Sequence, residues 1–138
     1  MGQIVDGRFE LQSLVASGGM GSIYRAQDLT TGQLVAVKLI SSPGSGLPRF
    51  VVESRILSEL EHPSIVRYVA HGVSAEGAPY LAMEWLEGED LSRHLARNGA
   101  RPVAEVLAWI RQAAEGLAVA HRRGVVHRDI KPSNVFLV

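Results

Sequence analysis

Cysteine is absent from the 138-residue sequence, which rules out a disulfide framework and a thiolate metal site and fits a reducing interior. Net charge is absent too. Fourteen Lys and Arg balance fourteen Asp and Glu, so no overall field draws the chain to nucleic acid or an anionic membrane, and any anion site must be local. No apolar run reaches the roughly 18 residues that would suggest a membrane span. The opening Met1-Gly2-Gln3-Ile4-Val5-Asp6 has neither a basic n-region nor an apolar h-region, and Asp6 stands where a myristoylation signal has Ser or Thr. Internal repeats and low-complexity tracts are missing as well. What is there is 46% hydrophobic and 20% charged, the composition of a folded chain of about one domain. A compact chain of this length buries roughly two-thirds of its unfolded surface.

The first forty residues predict strands and turns. Phe9 to Leu14 alternates apolar with polar, a glycine cluster follows over Ser17 to Ser22, and Ile23 begins a second strand. Leu34 to Ile40 is an almost wholly apolar third strand, and Ser41 to Pro48 is a loop with two prolines and two glycines. Phe50 to Leu60 predicts a helix that ends before His62-Pro63. Further strands are expected around Ile65–Val69 and Pro79–Glu84, and a short helix from Asp90, a good capping residue. The longest helix is expected from about Pro102 to Arg123, with Val103, Leu107, Ile110, Ala114, Leu117 and His121 at three- or four-residue spacing and Gly124 as its stop.

Several residues in this pattern are suited to chemistry. Glycines let a backbone approach phosphates and present its N–H groups, although a flexible hairpin tip explains the cluster equally well. A dinucleotide fingerprint would need a helix after the glycines, and a Walker A loop would need Gly-Lys-Ser/Thr; neither is present. Lys38 interrupts an apolar strand, so its ammonium either reaches solvent along the sheet or meets a partner. Alternation puts Ala36 on the same face, where its small side chain leaves room for a flat ligand. The five histidines suggest no partners and are given no role.

The run His127-Arg128-Asp129-Ile130-Lys131-Pro132-Ser133-Asn134 reads as H-R-D-x-K-P-x-N and resembles the catalytic loop of protein kinases, in its serine/threonine spelling. Val35-Ala36-Val37-Lys38 is similar to the family's phosphate-gripping strand, and Glu53, fifteen residues on, matches the partner of its lysine. The glycine loop aligns as Ala16-Ser17-Gly18-Gly19-Met20-Gly21-Ser22-Ile23, with Ala16 in place of the first glycine. That replacement costs about 1 kcal/mol if the backbone there needs a glycine conformation. Met83-Glu84-Trp85-Leu86 resembles the hinge. The Gly-Gly-Met-Gly and Lys-Pro-Ser-Asn spellings look like those of bacterial members.

The resemblance implies an α+β, protein-kinase-like fold: a five-stranded antiparallel small lobe with one helix, then the first helices and the catalytic loop of the large lobe. The expected boundaries are a partial kinase domain over 9–138, with 9–84 as small lobe and 85–138 as hinge and start of the large lobe. It further implies ATP and magnesium as cofactors, a protein with Ser or Thr as substrate, and a cytoplasmic location. Asp129 would accept the substrate hydroxyl's proton, Lys131 would neutralise the transferred phosphoryl group, and Asn134 would hold a magnesium ion. Glu84 and Leu86 would meet adenine through backbone groups, with Val15 and Ile23 as an apolar lid above it, Met83 behind it (or simply in the core) and Phe136 beneath. Asp90 would approach the ribose or cap its helix. The D-F-G motif does not occur before Val138, so the expectation is a piece of a longer kinase, inactive by itself. In that case Ile110, Leu117 and their neighbours lack the helices that should cover them. The alternative is an inert nucleotide-binding or protein-interaction module derived from a kinase.

Overall fold

The computed structural model describes residues 2–18, 21–40, 50, 54–55, 57–124 and 135–138. They fall into two units, Met1–Leu60 with Val66–Trp85, and Glu61–Ile65 with Leu86–Val138.

The first unit is built on a six-stranded antiparallel sheet of β1 (Ile4–Val5), β2 (Phe9–Gly18), β3 (Gly21–Asp28), β4 (Leu34–Ile40), β5 (Tyr68–Val73) and β6 (Pro79–Glu84), in the order β1-β2-β3-β4-β6-β5. One more strand is present than the sequence suggests. Val5 pairs with Phe9 across a turn in which Asp6 and Gly7 have φ of 54° and 64°, as an Asp-Gly hairpin turn requires. β4 has the expected bounds. β5 starts at Tyr68 rather than Ile65 because His62 holds the preceding residues in a turn: its Nδ1 accepts the Ser64 N–H and its carbonyl accepts the Ile65 N–H.

Cross-strand register sorts the sheet into two faces. Ala26 with Val35, Tyr24 with Val37 and Ala82, and Leu39 with Tyr80 share one face, which carries the core of Val5, Phe9, Leu11, Ala26, Val35, Val37, Tyr80 and Ala82. The Phe9 and Tyr80 rings meet edge to face at 5.8 Å. Tyr80 is polar at its tip, and its hydroxyl donates to Asp6 at 2.5 Å. Asp28, buried at the end of β3, accepts a two-pronged pair of bonds from Arg8. In the helix expected over 50–60, Ser54, Arg55, Leu57 and Ser58 are helical.

The second unit holds β7 (Glu89–Asp90), α1 (Leu91–Asn98), α2 (Val103–Arg122) and β8 (Phe136–Leu137), with β7 and β8 paired antiparallel. Asp90 caps α1, accepting the Arg93 N–H at 2.9 Å. Pro102 precedes α2 as expected, and Gly124, at φ 79°, follows it. α2 carries two apolar stripes. Val106, Trp109, Ala113, Gly116 and Ala120 form the covered one, in which a Cβ on Gly116 would stand 3.1 Å from Ser64. Among the described residues, the stripe expected from sequence is largely the uncovered one: Val103, Leu107, Ile110 and Ala114 are exposed, while Leu117 is half-buried. No described helix is long and apolar enough to cross a membrane.

Candidate nucleotide site

Opposite the core, the same sheet presents a face on which sequence-predicted residues gather. Ala16, Ile23, Lys38 and Leu81 form one row across β2, β3, β4 and β6, and Ser13, Arg25, Ala36 and Met83 form the next. Lys38 is therefore flanked by apolar neighbours and lies one row from Ala36, as alternation predicts. Its side of the sheet is half-buried rather than sealed.

Two bulges shape β2. Leu11 pairs with Ala26 and Ser13 with Arg25, leaving Gln12 unpaired; Leu14 pairs with Tyr24 and Ala16 with Ile23, leaving Val15 unpaired. Each bulge reverses which side chains face the core, and the second restores the original parity. The ladder partner of Ile23 is consequently Ala16, while Val15 is the bulged residue and is 44% exposed. Ala16 has no positive φ, so alanine in place of the first loop glycine does not meet the strain considered above.

The far end of this hairpin is closed by two facing glycines, Gly18 and Gly21, next to Ser17 and Ser22, whose hydroxyl oxygens are 3.4 Å apart. Gly21 is required by sterics: its φ is 152°, and a Cβ there would lie 2.0 Å from the Leu39 carbonyl oxygen. Gly18 has open space around it among the described residues. Gly19 and Met20 lie outside the described residues, as do Glu53, Asp129, Lys131 and Asn134.

Along β6, Met83 is half-buried and pairs with Ala36 and Tyr68. Glu84 is tied to Arg67 twice, its carboxylate accepting the Arg67 N–H at 2.8 Å and its own N–H donating to the Arg67 carbonyl at 2.9 Å. Leu86 is half-buried and opens the second stretch of the second unit. In that unit Asp90 and Phe136, both expected at the site, are direct cross-strand partners despite their distance in sequence. Asp90 spends one carboxylate oxygen on the helix cap, and Phe136 is 42% exposed.

Three histidines have partners that sequence did not suggest. His62 holds its turn, His71 meets the Tyr68 hydroxyl at 2.6 Å, and His94 bonds Glu89 at 2.9 Å with its ring edge-on to Trp109. Arg97 and then His94 keep the Glu89 carboxyl below its usual value. Sequence reasoning also missed Arg25, whose guanidinium lies 5.8 Å from the Trp85 ring centroid. A cation within about 6 Å of an indole is attracted by the ring, a relation that no local pattern discloses.

Residues 9–138 match the family model described as the protein kinase domain. The serine/threonine-protein kinase pkn2 of Myxococcus xanthus is 41% identical over 97% of this chain and 16% of its own length. The serine/threonine-protein kinase PknA of Mycobacterium tuberculosis is 38% identical over 99% of this chain and 34% of its own length. Among solved structures, the PknI kinase domain of Mycobacterium tuberculosis superposes with a TM-score of 0.86 at 32% identity, over 99% of this chain and 57% of that one. The chain thus spans a sixth to a third of these curated relatives and little over half of the solved domain.

Proposed function

The chain belongs to the protein kinase family, and on that footing we propose that it supplies the nucleotide half of an ATP- and magnesium-dependent serine/threonine kinase site, together with the catalytic base. One observation carries this reading. Lys38 shares a sheet face with Ala16, Ile23 and Ala36, next to a hairpin end at which Gly21 leaves no room for a side chain. An apolar bed with small side chains suits a flat base, and an adjoining ammonium with accessible backbone N–H groups suits phosphates. The kinase fold of the solved relatives and the names of the curated ones support the same assignment.

In this reading residues 9–138 are a partial kinase domain, with 9–84 as small lobe and 85–138 as hinge and start of the large lobe. Adenine rests on Val15, Ile23, Ala36 and Phe136, backed by Met83, and its edge meets the Glu84 carbonyl and the Leu86 N–H. Asp90 approaches the ribose with its second carboxylate oxygen, which it shares with Arg93 Nε at 3.6 Å. The loop from Ala16 to Gly21 covers the phosphates, and Lys38, paired with Glu53, grips them. The γ-phosphorus passes to a Ser or Thr hydroxyl of a protein substrate as its bond to the bridging oxygen breaks and ADP leaves. Asp129 takes the hydroxyl proton and Lys131 balances the charge on the phosphoryl oxygens.

Among the described residues, no group of three or more His, Cys, Asp or Glu is placed to hold a metal ion. By the family motif, magnesium would rest on Asn134 and the phosphates, where it would neutralise their charge. A cytoplasmic location, where ATP is supplied, belongs to the same proposal.

The test is calorimetric titration of magnesium-ATP into the chain and its Lys38→Met variant. Loss of one charge-assisted contact should weaken binding by about tenfold or more with Tm unchanged. Equal affinity in the two proteins would remove Lys38 from the phosphate grip.

A further inference from the structure

Arg25 occupies the row next to Lys38, and its guanidinium engages a β2 glutamine and the Trp85 indole. Its ladder partner on β2 is Ser13, and beside Ser13 lies the bulged Gln12, which has no ladder partner of its own. Freed from the ladder, the Gln12 amide oxygen accepts a 2.7 Å bond from Arg25 Nη1. The same guanidinium lies over the Trp85 indole, at 5.8 Å from its centroid. A planar guanidinium can bond in its plane and stack through its face at once, so the two contacts fix it in one orientation.

Trp85 is the residue directly after β6. On its N-terminal side Glu84 is already fixed by its two bonds to Arg67, and on its C-terminal side comes Leu86. The three side chains Gln12, Arg25 and Trp85 therefore form a strut from β2 across β3 to the segment that leaves the sheet. All three belong to the first unit.

We propose that Arg25 is a positioning residue for the nucleotide base: through the strut it holds Trp85, and with it the peptide groups on either side of Trp85 that meet adenine. This rests on the nucleotide reading above and adds a specific dependence to it. Affinity for the base is set in part by a β3 side chain that contacts neither base nor phosphate.

Calorimetric titration of adenosine, magnesium-ATP and inorganic tripolyphosphate into wild type, Arg25→Ala, Arg25→Lys and Gln12→Ala tests it, with a melting curve for each protein. Arg25→Ala should weaken adenosine and ATP alike by about two- to fivefold, the scale of one partly exposed cation–π contact, and leave tripolyphosphate unchanged. Arg25→Lys should recover only part of the loss, because an ammonium lacks the planar fork. Gln12→Ala, which changes no charge, should lower adenosine affinity in the same direction by less. Should Arg25→Ala fail to fold, Arg25→Lys and Gln12→Ala carry the comparison. Unchanged adenosine affinity in folded variants would overturn the proposal alone, as would a matching loss for tripolyphosphate. A wild type that binds neither adenosine nor ATP would overturn the nucleotide reading first.

Discussion

Replacing Gly21 by alanine should damage both the fold and the nucleotide site, because the two meet at this residue. The new methyl would stand 2.0 Å from the Leu39 carbonyl oxygen, and the strands would have to part by about 1.4 Å to reach the 3.4 Å at which ordinary contact begins. The backbone also sits at φ 152°, where side chains are strained whatever the space. Strain of this kind costs about 1–3 kcal/mol, and forced overpacking costs about 1–3 more. Together these cost about 2–6 kcal/mol, enough to lower Tm by about 10 °C or more in a unit of this size. Gly21 pairs with Ile40 and Ser22 with Leu39, so the pairs that open first adjoin the Ile23–Lys38 pair. ATP affinity should fall along with stability. Gly18→Ala is the internal control, since its Cβ meets no described atom within 4 Å and its φ is not positive. Urea unfolding followed by circular dichroism, with ATP titration on the folded proteins, separates the two. If Gly21→Ala matched Gly18→Ala in urea unfolding, the steric argument would be wrong.

Two more expectations concern residues that stabilise one unit each from within. The Asp28 carboxyl is lowered from 3.8 to about 2, first by its hydrogen bond from Arg8 and further by the Thr30 N–H. A depressed carboxyl stabilises the fold above the unfolded value and loses that contribution as pH falls from 3.8 through 2. At about 1.4 kcal/mol per pH unit this amounts to about 2.5 kcal/mol. Urea titrations should therefore show wild type more stable than Asp28→Asn by about that amount at pH 6, with the gap closing near pH 2; a gap independent of pH refutes the assignment. Asp90→Ala should remove the α1 cap at a cost of about 1 kcal/mol, while Asp90→Asn should keep most of it, as read from thermal melts. Equal losses in the two would mean that the carboxylate's charge, rather than the cap bond, is what matters.

Local pattern disclosed the elements whose causes are local. Leu34–Ile40 is an apolar run between turn residues, and α2 lies between a proline and a glycine with apolar residues at helical spacing. The Asp90 cap was equally visible. β1 was not, because two residues cannot show a period, although the Asp6-Gly7 dipeptide carried the turn signal. The contacts that join distant segments left no local trace: Asp6 with Tyr80, Asp90 with Phe136, and Arg25 with Trp85. For the site itself, spacing alone placed Ala36 beside Lys38, the family motif added Ala16, Ile23 and Met83, and Ser13, Arg25 and Leu81 of the same face were not foreseen.

The bulges in β2 show why the face could not be read in full. The alternation expected over Phe9 to Leu14 holds only as far as Gln12, since Ser13 and Leu14 stand where it would put an inward and an outward residue respectively. Ladder register explains the break: after the bulge at Gln12, Leu14 shares the Tyr24 face and Ser13 shares the Arg25 face. A single bulge would have carried the reversed parity into the glycine hairpin and set Val15 opposite Ile23. The second bulge instead brings Ala16, the smaller side chain, into the Ile23–Lys38 row. A one-residue slip of β4 would be worse, moving Lys38 to the face that buries Val37 and exchanging an ammonium for an aliphatic chain in the core. The cost of that burial is what pins the register, so the same apolar core that stabilises the first unit also determines which side of the sheet presents its lysine.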